Sequence, residues 1–214
     1  MAKSGQRKGG SGAGGVRVER STKNDVTLVG AESLSTIADP VLRKDIQSAI
    51  SRFASIFGGV SERVIKIADF QVLPSDFHGA LAVQYEGGKS QNYIRGIYLN
   101  KDFWTDKKTV NRRIKEWYDM GWFVRTSNPT RHIVMHELAH AKWSRLKSSR
   151  SARNARKEVT KLYRQWRRKE RPGWGDYAKK NVDEFFAEGL SKHALGSGDR
   201  YTRRLVKILK ENNL

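Results

Sequence analysis

An α+β domain, in which a small, mostly antiparallel sheet packs on a histidine-bearing helix and further helices surround both, is the fold class that this sequence predicts. Three observations predict it. Apolar residues recur at helical spacing in six separate segments, each opened or closed by a recognisable cap or breaker. Three short β-rich runs fall together between residues 64 and 99. The chain has 214 residues and is 37% hydrophobic, with six Trp, seven Tyr and eight Phe, which is enough for one real core and too little for two.

The elements follow in order. Residues 1–23 form a basic, glycine-rich tail: Met1 to Gly15 holds six glycines among Ser, Lys, Arg and Gln and cannot bury enough apolar surface to offset chain entropy, so disorder is expected. The domain then runs over 24–214. Thr22 to Glu32 is read as holding a short strand. Asp39-Pro40 is an N-cap and first helical residue, followed by Leu42, Ile46, Ala49, Ile50, Phe53, Ile56 and Phe57 on one face and a stop at Gly58-Gly59. The strand candidates are Val64 to Phe70, Leu81 to Tyr85 and Tyr93 to Leu99, the last two forming a hairpin around Gly87-Gly88. Thr105 or Asp106 caps a helix with Val110, Ile114, Trp117 and Tyr118, ended by Gly121. Asn128-Pro129 repeats the cap signature just before the histidines, and Val134, Leu138 and Ala141 are expected to face the core from that helix. Arg150 to Glu170 reads as a long helix whose stripe of Val159, Leu162, Tyr163 and Trp166 is its only apolar face. Asn181 with Glu184 opens a helix to about Leu195, closed by Gly196, and Arg200 to Glu211 is a last basic helix with Leu205, Val206 and Leu209 inward.

The chemistry lies in His136-Glu137-Leu138-Ala139-His140 and in the run from Tyr177 to Glu188. Histidines four apart share one helix face, about 6 Å apart along the axis, so both rings reach one ion while the glutamate between them points at its open position. A zinc hydrolase needs two such ligands, a third from elsewhere, and a carboxylate to take a proton from the attacking water. His136 and His140 are the two ligands and Glu137 the general base. Trp143 and Leu146 occupy the positions that an extended HExxHxxGxxH pattern needs for its glycine and third histidine. His132 lies too far along the helix to share the ion and is read as a first-turn residue at the cleft rim. Glu184 is then the first choice for third ligand, with Glu158 and Glu188 as the alternatives. Glu158 otherwise reads as a solvated partner for Arg or Lys.

Tyr177, Asn181, Glu184, Phe185, Phe186, Ala187 and Glu188 resemble the C-terminal half of the anthrax-lethal-factor-like zincins and of the small zincin domains encoded by phages and prophages, often attached to minor head proteins. Gly96-Ile97-Tyr98-Leu99-Asn100 and Gly121-Trp122-Phe123 are similar to the phage version, so the resemblance spans about Tyr93 to Leu195. It implies a zincin-like fold, a zinc metallopeptidase of the HExxH-plus-Glu type and Zn2+ as cofactor. Glu184 would be the third metal ligand and Tyr177 would point at the oxyanion. It also implies a protein or peptide substrate, phage head or portal proteins as partners, and a place in the host cytoplasm or the virion. Physical reasoning supports two of these roles: a phenol near the metal can donate to a developing oxyanion, and Glu188, one turn after Glu184, can accept the N–H of a ligand histidine. The resemblance further implies that the strand Ile94 to Leu99 presents an open sheet edge beside the metal, with which an extended peptide can pair. Phe185 and Phe186 read as packing residues, and Trp104, Trp117, Trp122 and Trp143 as core or cleft-wall aromatics. The basic insert at about 142–171 departs from the family pattern.

Charge supplies the second theme. The formal net charge is +20, and Lys142 to Arg171 alone carries thirteen Lys or Arg against Glu158 and Glu170. An acidic partner, nucleic acid or an acidic protein surface, is expected at the tail and at Arg150, Arg153, Arg156, Lys157, Arg164, Arg167 and Arg168. Two further readings follow: a basic virion or nucleic-acid-associated protein with a vestigial or structural zinc site, and a DNA-tethered protease. The second rests on Glu137 to Ala141 followed by Trp143, which resembles the metal helix of the Spartan/SprT-like group, though that group places a third histidine soon after the second and here the next is His193. Zero cysteines exclude disulfides, cysteine-based zinc ribbons and thiol catalysis. No apolar run is long enough to span a bilayer, and no signal peptide is expected.

Overall fold

The computed structural model describes residues 18–20, 26–28, 31–58, 65–72, 75–85, 95–169 and 173–214. Most of the Gly-rich tail, the Gly87-Gly88 turn and Pro172 lie outside the described residues. Within them the chain is α+β and mostly helical. Two short strands, β1 (Val18–Arg20) and β2 (Val26–Leu28), pair antiparallel with each other; β1 falls inside the segment read as tail. The main sheet contains β3 (Ala31–Glu32), β4 (Ile65–Ala68), β5 (Ala82–Tyr85) and β6 (Gly96–Asn100) in the order β3-β4-β6-β5. It is mixed, because its two outer pairings are antiparallel and the central β4/β6 pairing is parallel, with Ile65 opposite Ile97 and Ala68 opposite Asn100. The parallel pair arises because β5 returns between them: β5 forms the antiparallel hairpin with β6, leaving β4 to join the far side of β6. Sheet order is decided by such long-range pairings, and spacing along the chain does not reveal it.

The helices are α1 (Pro40–Phe57), α2 (Lys107–Asp119), α3 (Pro129–Arg145), α4 (Arg150–Arg167), α5 (Val182–Ala194) and α6 (Arg200–Glu211). Each begins where local chemistry satisfies otherwise unpaired N–H groups. Asp39 accepts from Val41 and Leu42, Asp106 from Thr109, Asn128 from Arg131, Ser149 from Ala152, Asn181 from Glu184, and Asp199 from Tyr201 and Thr202. Of the two residues proposed to cap α2, Asp106 is the one that does so. Gly58, Gly121 and Gly196 follow their helices with positive φ, as their stop signals predict.

Helix α3 is the hub, packed against α5, α1, α2 and β5. Val134, Leu138 and Ala141 are fully buried, and the helix is covered on nearly every side. Buried Asp45 of α1 ties three helices together by accepting from Arg131 of α3 at 3.0 Å and pairing with Lys107 of α2 at 2.7 Å. Against α5 lie the aromatics of α4: Trp166 and Tyr163 pack on Phe185 at 5.0 and 5.4 Å between ring centroids, with Trp174 stacked on the same ring. Phe185 and Phe186 are fully buried, Trp104 and Trp143 are core residues, and Trp117 and Trp122 line a cleft. Lys142, counted with the basic segment, faces inward: its ammonium donates to the Phe57 carbonyl at 2.7 Å at the end of α1, and burial lowers its pKa.

Candidate metal centre

Two helices bring three donor atoms to one point. On α3 the four-residue spacing stacks His136 over His140, and their Nε2 atoms lie 3.0 Å apart. On α5 the Asn181 side chain accepts from the Glu184 N–H at 2.9 Å, which sets Glu184 in the first helical turn. A third-position glutamate can turn back to the N-cap N–H, but here its Oε2 reaches forward to His136 Nε2 at 3.1 Å and His140 Nε2 at 3.0 Å. The three donors form a triangle with edges of 3.0 to 3.1 Å. Ligands held at about 2.0–2.1 Å around a tetrahedral ion stand roughly 3.3 Å apart, so the triangle fits a small divalent cation with little adjustment. Two imidazole nitrogens facing each other this closely can share at most one proton, and a cation accounts for both. The two nitrogens and one carboxylate oxygen are a zinc-compatible set.

A second group, His132, His136 and Glu188, also brings its nitrogen and oxygen atoms close together. Its geometry needs no ion. His136 Nδ1 lies 2.7 Å from Glu188 Oε1, and His132 Nε2 lies 3.3 Å from the same oxygen, so two N–H groups can both point at one carboxylate. On the other side of the His132 ring, Nδ1 is 2.9 Å from the Tyr118 hydroxyl, which is 2.9 Å from Thr126 Oγ1. The consistent proton assignment has Thr126 donating to Tyr118, Tyr118 to His132 Nδ1, and His136 Nδ1 to Glu188, with His132 Nε2 lying against the same carboxylate. This assignment leaves His136 Nε2 as an acceptor for a cation. His132 is therefore no rim residue. It is completely buried, under Tyr118 and Phe123, in the chain of hydrogen bonds behind His136. Glu188 is 1% exposed and makes no surface pair with Lys192, which pairs with Asp199 instead.

Glu137 faces a cavity of about 200 Å³ lined by Ala80, Leu81, Ala82, Trp117, Trp122, Phe123, Ile133, His136 and Tyr177. Burial raises its pKa, against the charges of His140 and His136 and a hydrogen bond from the Gln84 backbone N–H. That N–H comes from β5 and not from β6, where the open edge was expected. β6 is the inner strand, paired on both sides and buried throughout, and β5 is the outer one. The bond from Asn100 N–H to the Leu81 carbonyl fixes the alternation, so Val83 and Tyr85 direct their backbone groups to β6 and Ala82 and Gln84 direct theirs outward.

Tyr177 closes the other side of this cavity. Its ring packs on Phe123, Trp122 and His136 at 4.9, 5.3 and 5.8 Å, and burial together with the charges of Glu184 and Glu137 holds its phenol well above the usual range, neutral and able to donate. The loop around it is pinned by Asp176 N–H to the Gly121 carbonyl and Tyr177 N–H to the Trp122 carbonyl, at 2.9 and 2.8 Å. Gly175 permits this approach: a Cβ there would sit 2.4 Å from the Trp122 carbonyl oxygen. The backbone donor of Gln84, the clamp at Gly175 and the chain through His132 are contributions to the site that sequence reasoning missed. Of these only Gly175, a glycine two residues before the tyrosine, leaves a mark in the sequence.

The ionisable groups make the metal-free site sensitive to pH. Burial alone would lower the pKa of His136, but its hydrogen bonds to Glu184 and Glu188 push it up to about 10. Burial would raise Glu188, yet its contacts with His132 and His136 bring it down to about 2, and Glu184 lies well below the carboxylate range for the same kind of reason. The depressed carboxylates contribute stability that is fully present above about pH 4.5, their unfolded value, and lost as the pH falls toward 2. The raised histidine contributes stability that is fully present below about 6.5 and lost progressively as the pH rises through 10. Chelated protein should therefore show its highest Tm between about pH 4.5 and 6.5 and decline on both sides, with zinc abolishing the alkaline decline because it takes the place of the proton on His136. Thermal melts across pH with and without chelator check this; an alkaline limb unaffected by zinc would contradict the ligand role of His136.

The basic residues separate into groups. Arg153, Arg156, Lys157 and Arg164 line one concavity along α4 together with Lys147 and Lys161, whereas Arg150, Arg167 and Arg168 are exposed outside it. Glu158 pairs with Arg204 at 3.1 Å on the surface, as its reading as a solvated partner predicts, and is remote from the three donors. His193 packs against Phe57 and is not one of them either. Comparison of the chain with protein-family models, with curated proteins and with solved structures returns no match.

Proposed function

We propose that this chain is a zinc-dependent endopeptidase of the zincin type, with His136, His140 and Glu184 as metal ligands. The observation that carries the proposal is the donor triangle, of which His136 lines an aromatic-walled cavity together with the Glu137 carboxylate. A structural zinc site is closed on all sides by protein, whereas a catalytic one keeps a position open to substrate. The cavity favours the catalytic reading over a basic scaffold protein with a vestigial site. The DNA-tethered protease reading ranks lower, because the group it resembles places a third histidine soon after the second and here the next is His193, which packs against Phe57.

Zinc, when bound, would lower the pKa of a coordinated water toward about 7 and polarise the scissile carbonyl. The chain's own residues would do the rest. Glu137, with its raised pKa and oriented by the Gln84 N–H, takes a proton from the nucleophile and passes it to the departing amine. Tyr177, held neutral, donates to the oxygen on which charge develops. Glu188 fixes the His136 ring, and the outward N–H and C=O of Ala82 on the β5 edge would align an extended peptide. The wall of Trp117, Trp122, Phe123 and Ile133 would receive an apolar side chain of that peptide. The test is metal analysis of the purified protein combined with cleavage of casein or a peptide library. Stoichiometric zinc and cleavage that a chelator stops and added zinc restores are the expected results, and zinc binding without any cleavage would leave only the scaffold reading.

A further inference from the structure

We infer that the exposed face of α4 is a second binding site, separate from the metal centre, that holds the phosphate backbone of a nucleic acid without reading its sequence. The site is a concavity of about 530 Å³ lined by Lys147, Arg153, Arg156, Lys157, Lys161 and Arg164, with Leu146 and Thr160 and no carboxylate in its wall. Exposed cations continue beyond it. Arg150, Arg153, Lys157, Lys161, Arg164 and Arg168 recur every three or four residues, which puts one cation per helical turn, about 5.4 Å apart, in a row about 27 Å long.

The rest of the fold holds this row outward. Ala152, Ala155, Val159, Leu162, Tyr163 and Trp166 occupy the opposite face and are buried, which prevents the helix from rotating its charges away. The acidic residue of α4, Glu158, points sideways to Arg204 and Asn212 of the neighbouring chain segment, and no carboxylate among the described residues is paired with the row. Arg156 shows the site best. Its guanidinium lines the concavity and lies 4.2 Å over the Trp143 ring, which fixes its plane. A planar donor held in this way is suited to a phosphate oxygen arriving from outside.

The form of the surface selects among anionic partners. A membrane-surface helix must turn its apolar face to lipid, and the apolar face of α4 is already buried in the domain. Protein interfaces draw their affinity from buried aromatic and apolar anchors, and the large exposed apolar residues among those described, Val41, Met120 and Trp122, all belong to other elements. A regular row of cations on one rigid helix, with no apolar anchor, fits a polymer with regularly repeated negative charge. The net charge of +20 would speed its encounter.

The test is fluorescence anisotropy of the full chain with labelled mixed-sequence single-stranded and duplex DNA across a salt series. Wild type should bind both sequences of a scrambled pair equally, with log affinity falling linearly in log salt. Arg153→Gln/Lys157→Gln/Lys161→Gln should weaken binding at least tenfold at low salt and flatten the slope by about 0.9 for each duplex phosphate that the variant no longer neutralises. All three positions are exposed, so the melting temperature should be unchanged; if it is not, the single Lys161→Glu variant makes the same comparison. A Lys3→Gln/Arg7→Gln/Lys8→Gln variant controls for the N-terminal segment. Wild-type affinity in the α4 variants, or weakening only in the N-terminal variant, would overturn the proposal. So would a polyglutamate peptide displacing DNA at equal charge concentration, or α4-dependent binding to anionic vesicles in preference to DNA.

Discussion

Replacing Glu137 by Gln is expected to abolish peptide hydrolysis while zinc stays bound at the wild-type stoichiometry. The reason lies in what the carboxylate touches. Glu137 is 8% exposed and takes no part in the donor triangle, so the ligand set of His136, His140 and Glu184 is intact in the variant. Glutamine keeps the length and an oxygen for the Gln84 N–H but cannot take up a proton. General acid–base catalysis is worth about 10²- to 10⁴-fold, and here the same group must accept the proton and deliver it, so the loss should lie at the upper end of that range. Stability should not suffer, because the variant removes a carboxylate that burial already disfavours in its charged form. Parallel measurements of bound metal, melting temperature and chelator-sensitive cleavage decide the matter. A Gln variant that cleaves at the wild-type rate, or that arrives without metal, removes Glu137 from the role of base.

What can be read in the sequence and what cannot divide along the range of the interactions. Asp39, Asp106, Asn128 and Asn181 all cap helices as their local sequences indicate, because a cap depends on residues two or three positions away. The meeting of His136 with His140 is likewise a local property of one helix. Glu184 joins them across 44 positions, and only the coincidence of a capped helix with the right carboxylate spacing points to it. His132 defeats the sequence reading for a different reason. Periodicity assigns a polar residue near a helix start to the solvent side, but α3 is covered on nearly every face, and Tyr118 and Phe123 arrive from elsewhere to bury that ring. The resemblance places the open edge on β6, whereas the strand order depends on β4 joining from outside the hairpin, which leaves β5 as the outer strand. Lys142 counts with the surface charge in the sequence because nothing local shows that the end of α1 needs its ammonium. The basic row on α4, in contrast, follows directly from its apolar stripe: once one face is buried, the other is fixed.

Glu184→Ala and Glu188→Ala should fail in different ways although the two residues lie one turn apart on α5. Glu184 is the carboxylate shared by both Nε2 atoms. Its loss reduces three donors to two, and the zinc affinity should fall by more than the roughly 100-fold that marks the upper end for residues behind the ligands. The methyl group that remains leaves His140 partly open to water, so the change in Tm of the chelated protein should be modest. Glu188 touches no metal. It accepts from His136 Nδ1 and lies against His132 Nε2, and all three side chains are almost completely buried. Its removal leaves the His136 Nδ1–H in the core without its acceptor and the His132 ring without its carboxylate neighbour, a defect of the kind that costs about 3–5 kcal/mol when a buried charged pair is broken. Metal affinity should drop by only about 10- to 100-fold, through the lost orientation of His136. Glu188→Gln, which keeps an acceptor oxygen, should recover much of the stability but less of the affinity, because a neutral amide supports a ligand imidazole less well than a carboxylate does. Zinc titrations and melts of the four proteins, run with and without chelator, separate the two roles. Unchanged zinc stoichiometry in Glu184→Ala would transfer the third ligand elsewhere, and a Glu188→Ala protein as stable as wild type would mean that the hydrogen-bonded chain behind His136 does not hold the site together.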